Sequence, residues 1–479
     1  MSRTLVSLVF VLLLGSPVLA QRPRLAPTRL RIAALSPREN ALGVPRATDV
    51  RVAFSQPILA ASLDQKSFQV FGRWSGVSAG TIQLLAGGRV VRFIPQRPFS
   101  PGEIVHVALA KTIEGQLGAR MSRGFAWSFW VDSRVSSATF THTGTLFPGD
   151  TPYGAHGGDL DADGDLDLCI PNEDSSNVSV YLNQGTGTFG PEATYGVGFH
   201  CSASEAADFD LDGAVDLVVA NILDDDVSVL AGNGDGTFQQ ELRYACGVQP
   251  RGVSVLDADG DGDTDFATAN RMSSDLSLFL NAGDGTFAPE LRLDGGLNRE
   301  TGVVAADMDG DGVLDLVVIG YASHDAVVLR GDGLGGFTPL IPRAIGLNPW
   351  MVAVGDVDGD GFNDVAAALS GANAAGIVRG DGSGALLPAT SYATGSFPIA
   401  IDLGDLNGDG RLDLTASCFG ADFDLYFNLG NGSLGNHTTL PSVTAGSCTV
   451  LHDRDGDGDV DITGIDELAD RVLLFRQDG

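Results

Sequence analysis

Basic side chains are scarce in this chain: 29 Lys and Arg stand against 61 Asp and Glu, a formal charge of −32 over 479 residues. A protein that grips nucleic-acid backbones needs the opposite balance, so nucleic acid is excluded as a partner. Long apolar runs are missing as well. Leu5 to Leu14 is almost wholly apolar, but it falls well short of the ~20 residues that span a bilayer, and no later stretch comes closer, so no transmembrane segment is expected. Catalytic signatures are equally thin. The seven histidines are scattered, with no H-E-x-x-H and no Ser or Cys beside a plausible base, so neither a zinc-hydrolase nor a nucleophile constellation is visible. Gly76-Val77-Ser78-Ala79-Gly80 matches G-x-S-x-G in letters only. A nucleophile elbow needs a strand before it and a helix after it, and strand-like segments flank this one on both sides. The repeated part of the chain also lacks any 3.6-residue apolar period, which excludes a helical solenoid.

What is present begins with an export signature. Arg3 precedes the apolar stretch, and Val18 and Ala20 supply small residues for cleavage before Gln21, so residues 1–20 read as a signal peptide and 21–28 as a linker. No cysteine sits at the cleavage position, which argues against a lipid anchor. The expected location is secreted, extracellular or at the cell surface, with the periplasm as the alternative. An acidic chain is sometimes disordered, but 43% hydrophobic residues and 64 glycines indicate folded, turn-rich β-structure instead.

The dominant feature is a repeat. GDLDADGDLDL at 158–168 recurs as ADFDLDGAVDLVV, LDADGDGDTDFAT, ADMDGDGVLDLVV, GDVDGDGFNDVAA, GDLNGDGRLDLTA and HDRDGDGDVDITG. The first aspartates of the seven copies are spaced 49, 49, 50, 49, 49 and 48 residues apart, a period steady enough to be one structural unit. Each loop is followed by an apolar run, a polar turn, a second alternating run and a glycine turn such as GNGDGTF or NAGDGTF. About four short β-runs per 40–50 residues is the pattern of a propeller blade, and seven units predict seven blades. Register also predicts how the ring closes. Phe140 lies 19 residues before Asp159, the spacing that separates Phe189 from Asp208, while the last unit ends at Gln477-Asp478-Gly479 without its final strand. The strand around Phe140 is therefore expected to complete the seventh blade, which leaves no long exposed edge.

Each loop follows D-x-[DN]-x-D-G-x-x-D. Oxygen side chains at positions 1, 3, 5 and 9, with a backbone carbonyl at 7 and water, can surround one hard cation, and glycine at position 6 makes the sharp turn. The expected ligands are Asp159, Asp161, Asp163 and Asp167; Asp208, Asp210, Asp212 and Asp216; Asp257, Asp259, Asp261 and Asp265; Asp307, Asp309, Asp311 and Asp315; Asp356, Asp358, Asp360 and Asp364; Asp405, Asn407, Asp409 and Asp413; and Asp453, Asp455, Asp457 and Asp461. Calcium, up to seven ions, is the expected occupant. Magnesium demands a tighter octahedron, and zinc or copper would call for Cys or His. Thirty of the 61 acidic residues lie in these loops, so the remainder of the chain is nearly balanced in charge. Crowded carboxylates repel strongly unless a cation lies among them.

An EF-hand carries Glu at position 12 between helices, whereas position 12 here is Ile170, Val219, Thr268, Val318, Ala367, Ala416 and Gly464. The loops instead resemble those of FG-GAP and VCBS repeats, the blade units of integrin α-chain propellers and of many secreted bacterial proteins. The resemblance covers about residues 135–479 and implies a seven-bladed propeller with calcium in loops on one rim. Asn407 departs from the family's aspartate and should weaken its site slightly. Residues 29–132 lack the repeat. A hairpin is expected from Thr81–Leu85 and Val90–Ile94 across Ala86–Arg89. The stretches 35–58, 93–110 and 125–131 resemble the SbsA-type bacterial Ig-like domain, which implies a β-sandwich spacer or adhesion element. The expected fold is thus all-β, a small Ig-like sandwich before a seven-bladed β-propeller.

Cys169 and Cys418 follow their loops, and Cys201 and Cys448 precede the next, at separations of 32 and 30. This parallel placement suggests two disulfides between adjacent blades, with buried free thiols as the alternative; Cys246 is left over. His452 reads as a packing or surface position. The function that follows is a secreted, monomeric, calcium-binding module for an extracellular protein or glycan, in the manner of adhesion proteins. Two alternatives stand beside it: a structural cell-surface component, and a lyase-like enzyme acting on polysaccharide. The enzyme would need Arg, Lys, His or Tyr clustered at the channel mouth, and the scarcity of basic residues and the seven tyrosines argue against one.

Overall fold

The computed structural model describes residues 29–479, so the signal-peptide and linker readings lie outside the described residues. The N-terminal domain is a two-sheet sandwich. One sheet orders the strands Ile32–Ser36, Val50–Phe54, Val90–Pro95 and Gly80–Leu85; the other orders Ala41–Val44, Phe125–Val131, Ile104–Leu109, Phe68–Gly72 and Gly76–Val77. The expected hairpin forms, with Leu85 opposite Val90 and Gly80 opposite Pro95. Alternation puts one face of each strand inside: Val50, Val52 and Phe54 of one sheet meet Phe68, Val105, Val107, Trp127 and Phe129 of the other in one core. The G-x-S-x-G letters run from the strand Gly76–Val77 through Ser78 and Ala79 into the strand Gly80–Leu85, so a strand and not a helix follows the serine.

The rest of the described chain forms seven four-stranded antiparallel sheets, the fourth of which has an extra short strand at Arg343–Ala344. Within each blade the second strand is buried along its whole length, as in Asp216–Asn221 and Asp315–Gly320. That is why these segments read as unbroken apolar runs. The innermost strands, His156–Gly158, Cys201–Ala207, Pro250–Leu256, Glu300–Ala306, Pro349–Gly355, Pro398–Gly404 and Gly446–His452, each touch the next, and the last touches the first. The sheets thus close into a ring. Closure uses the strand Phe140–Leu146, which pairs antiparallel with Arg471–Gln477, Phe140 opposite Gln477 and Leu146 opposite Val472. Among the described residues no helix is long and apolar enough to cross a membrane.

The disulfide expectation is corrected: all five cysteines are free thiols. Cys201 Sγ points at the carbonyl oxygens of Asn172 and Asn177, at 3.2 and 3.5 Å, and Cys418 Sγ faces Ala416 O and the Asp424 carboxylate. Each thiol has its own strand neighbour, so parallel spacing in sequence does not become sulfur-to-sulfur proximity. Burial pushes the Cys201 and Cys418 thiols up to about 12 and Cys448 to about 11, which keeps them protonated and unreactive.

Candidate metal centres and the two channel mouths

The acidic loops join the innermost strand of each blade to the second, and in all seven the position-9 aspartate is the first residue of that second strand. Its two oxygens are both fixed. One accepts the backbone N–H of position 2, as from Leu160 to Asp167 at 2.9 Å and from Phe209 to Asp216 at 2.8 Å. The other accepts an N–H from the end of the third strand or just beyond it, Asn183 for Asp167 and Gly232 for Asp216, both at 2.8 Å. Position 5 accepts from the N–H of position 7 in every loop, for example from Ala214 to Asp212 at 2.8 Å. Position 1 accepts from the position-6 glycine in the second to seventh loops, at 2.6 Å for Gly312 and Asp307. Those glycines all have positive φ, from 78° at Gly312 to 101° at Gly164 and Gly458, where a Cβ would strain the turn. Asn407 keeps this frame, accepting the Asp409 N–H at 3.0 Å.

Ligand atoms converge within 4.8 Å of one another from Asp159, Asp161 and Asp167, and from Asp208, Asp210 and Asp216. In the next three loops the convergent trios are Asp257, Asp259 and Asp261; Asp307, Asp309 and Asp311; and Asp356, Asp358 and Asp360. Positions 1, 3 and 9 gather in the first two loops, therefore, and positions 1, 3 and 5 in the following three. Burial, with neighbouring loop carboxylates adding to it, pushes the position-9 acids up to about 7, and Asp265 to about 8, despite their backbone hydrogen bonds. Among the expected ligands, two buried oxygens, Asp159 Oδ1 and Asp309 Oδ1, have no hydrogen-bond partner. An all-oxygen set of crowded, partly orphaned carboxylates fits a hard divalent cation.

The loops are not free at a rim. The Ig-like domain sits on them, and strand-like backbone contacts run across: Lys111 N–H to Gly260 O at 2.7 Å, Ala126 to Gly312 O at 2.8 Å, Arg134 to Gly458 O at 2.7 Å and Asp159 to Trp74 O at 3.0 Å. Five basic side chains of this end of the chain pair with loop carboxylates: Arg97 with Asp159 (3.6 Å), Lys66 with Asp263 (2.7 Å), Lys111 with Asp259 (3.2 Å), Arg123 with Asp311 (2.8 Å) and Arg134 with Asp459 (2.6 Å). The carboxylates are thus less isolated than their count implies. Arginines of the propeller serve the fifth and sixth loops through Asp358 and Asp409, and among the described residues only the second loop has no ion pair to Lys or Arg. Trp74, 2% exposed, plugs the channel between His156 and His452, ring centroids 6.0 and 6.2 Å away. Below it a cavity of about 420 Å³ occupies the channel, lined by Arg73, His106, Glu205, Ser254 and Asp402 among others. Arg73 pairs with Asp402 at 3.0 Å.

Innermost strands run toward the acidic loops, so their first residues line the opposite mouth. There the structure assembles the cluster that composition argued against. Arg251 lies over Tyr153 and Trp350, at 5.6 and 5.4 Å to the ring centroids, and Arg271 over Tyr321 and Trp350, at 5.0 and 5.1 Å. The Trp350 indole N–H donates to the Tyr153 hydroxyl, and Phe397, 38% exposed, stands 6.4 Å from Trp350. Glu173 is 3.6 Å from Arg251 and 2.9 Å from His200. Burial raises Glu173 to about 7 and Glu467 to about 8. A sequence signal did exist: Tyr153, Arg251 and Trp350 each precede by one residue a channel-lining position, Gly154, Gly252 and Met351.

FG-GAP-like repeats match residues 159–219, 208–268, 257–318, 307–367 and 356–416, a span of more than half the chain. The chain belongs to the FG-GAP-like repeat family. A bacterial Ig-like domain matches residues 26–131 of this FG-GAP-like chain. No curated protein matches it. Among solved structures it is similar to BBS1N in complex with ARL6DN, with TM-score 0.52, 12% identity, and coverage of 72% of this chain and 98% of that one. It is also similar to an Agrocybe aegerita lectin that recognises non-reducing terminal N-acetylglucosamine (TM-score 0.44, 21% identity, 61% and 81% coverage). A third is the periplasmic gluconolactonase of Pseudomonas aeruginosa (TM-score 0.42, 17% identity, 69% and 97% coverage). Such identities speak to the fold alone.

Proposed function

We propose that this FG-GAP-like propeller is a secreted, calcium-stiffened binding module that takes an extracellular protein or glycan at the channel mouth remote from its Ig-like domain. The observation that carries the reading is the division of labour between the two ends. The acidic loops are covered by the Ig-like domain, while the other end displays Arg251, Arg271, Tyr321 and Trp350 around the channel. Loops at that end also expose Phe199, Leu223, Val248, Met272, Leu347 and Phe397, the kind of apolar display that marks interaction surfaces. Calcium would be held by the four expected side chains of each loop, from Asp159, Asp161, Asp163 and Asp167 in the first to Asp453, Asp455, Asp457 and Asp461 in the seventh. Its contribution is charge neutralisation, which fixes the strand connections; no bond-making step needs it.

The lyase alternative loses ground at the same cluster. His200 faces carboxylates with both ring nitrogens, Glu173 at 2.9 Å and Asp174 at 3.6 Å, and Tyr153 is pushed up to about 12 by burial. Neither is arranged as a base for a substrate proton. The test is a screen of immobilised glycans and extracellular proteins with the intact chain in calcium, repeated with Trp350→Ala. Binding that disappears in the variant supports the reading. Binding that is equal in both overturns it.

A further inference from the structure

Arg271 is the anomaly of the far mouth. It is half-buried, its Nε is buried without a hydrogen-bond partner, and its guanidinium lies over the rings of Tyr321 and Trp350. This happens in a protein with two acidic residues for every basic one, where other half-buried cations such as Lys111, Arg123 and Arg73 have found carboxylates. Burial is the main cost to its charge, and the nearby Arg251 and Arg299 guanidiniums add repulsion. Cation–π contacts offset only part of the desolvation of two adjacent cations. Arg251 has Glu173 at 3.6 Å, but Arg271 is left without an anion. Around it stand flat rings, with Phe397 exposed beside Trp350, and the channel cavity, walled at its other end by the Ig-like domain, reaches the residues next in sequence to Arg251 and Trp350, Gly252 and Met351.

Building on the binding role proposed above, we infer that the far mouth recognises the carboxylate of an acidic sugar, a hexuronate, with Arg271 and Arg251 taking the anion and Phe397 and Trp350 packing against the sugar ring. Planar guanidiniums match carboxylates in two-point hydrogen bonds, and the stacked rings hold them in position for that contact. Glu173 and Glu467, raised toward neutrality, subtract less charge from the site than two ionised acids would.

The experiment is calorimetric titration of the full chain in saturating calcium with galacturonate and glucuronate, as monosaccharides and dimers, against galactose, glucose and the uronate methyl esters. The expected result is binding of the acids, with esters and neutral sugars weaker by about tenfold or more, the loss typical of a missing charge-assisted pair. Arg271→Gln should lose the same factor, whereas Arg271→Lys should recover only part of it. Because the Arg271 side chain makes no hydrogen bond or ion pair among the described residues, and its backbone bond to Gln249 O does not depend on the side chain, Arg271→Gln should melt within about two degrees of the parent, an outcome that a purely structural arginine would not give. Uronate binding that survives Arg271→Gln, as it would if the sugar merely chelated loop calcium, overturns the inference. So does equal binding of acid and ester, or of an aspartate-rich peptide in place of the sugars. Any of these leaves the Trp350-dependent binding role to be judged by its own screen.

Discussion

Replacing Trp74 by alanine tests whether the Ig-like domain is a fixed cap or a tethered neighbour. The side chain is 2% exposed and packs with Leu166, Val450 and Ala155 of the propeller, with the Arg73 guanidinium 4.4 Å over its ring. A buried tryptophan removes roughly 150–250 Å² from water, about 4–6 kcal/mol at ~25 cal/mol per Å². Alanine retains Cβ, so the expected loss is about 3–5 kcal/mol. Each domain has its own core, so this deficit should appear as undocking and not as unfolding of either part. The assay is limited proteolysis of the connector 132–139, which carries no regular structure, combined with thermal melting in calcium. Faster cleavage there and a split of one transition into two are expected. Unchanged cleavage together with a stability change below about 1 kcal/mol would refute the anchor role, since a plug that buried should cost more.

Calcium removal by chelation should lower the melting temperature by several degrees, because an ion that binds only the folded chain stabilises it by mass action; metal analysis with an unchanged melting curve would contradict this. In excess calcium, acidification should undock the cap. Burial holds His156 and His452 down to about 3, below the ordinary 6.5. Their stabilisation is therefore complete above pH 6.5 and is lost as pH falls from there toward 3, at up to about 1.4 kcal/mol per pH unit each. His156→Asn should flatten that dependence in pH-resolved melting, and an unaltered slope would count against it. A chain starting near residue 150 lacks the strand Phe140–Leu146, exposes the Arg471–Gln477 edge and should aggregate on size-exclusion chromatography, whereas one starting at 133 keeps the ring closed. Equal behaviour of the two would show that closure does not depend on this strand.

The repeat, its seven loops and the register of closure were legible in the sequence because each is set by local spacing. Alternate aspartates around a glycine define a loop whichever neighbours surround it, and a fixed distance from Phe140 to Asp159 places that strand in the same position within its blade as every other. Propeller blades contact mainly their sequence neighbours, so periodicity alone specifies the ring. Tertiary structure decided what lies far apart in the chain. Lys66, Arg97, Lys111 and Arg123 read as ordinary surface cations until the sandwich is set on the loops, where they meet Asp263, Asp159, Asp259 and Asp311. Cysteines at matched offsets proved to face backbone carbonyls, since side-chain direction follows the strand and not the spacing. The mouth cluster was hidden by arithmetic: few basic residues and few tyrosines do not forbid a site when a ring of seven strands brings Tyr153, Arg251, Arg271, Tyr321 and Trp350 from four blades to one axis. Radial closure concentrates whatever each blade contributes, and composition averages over it.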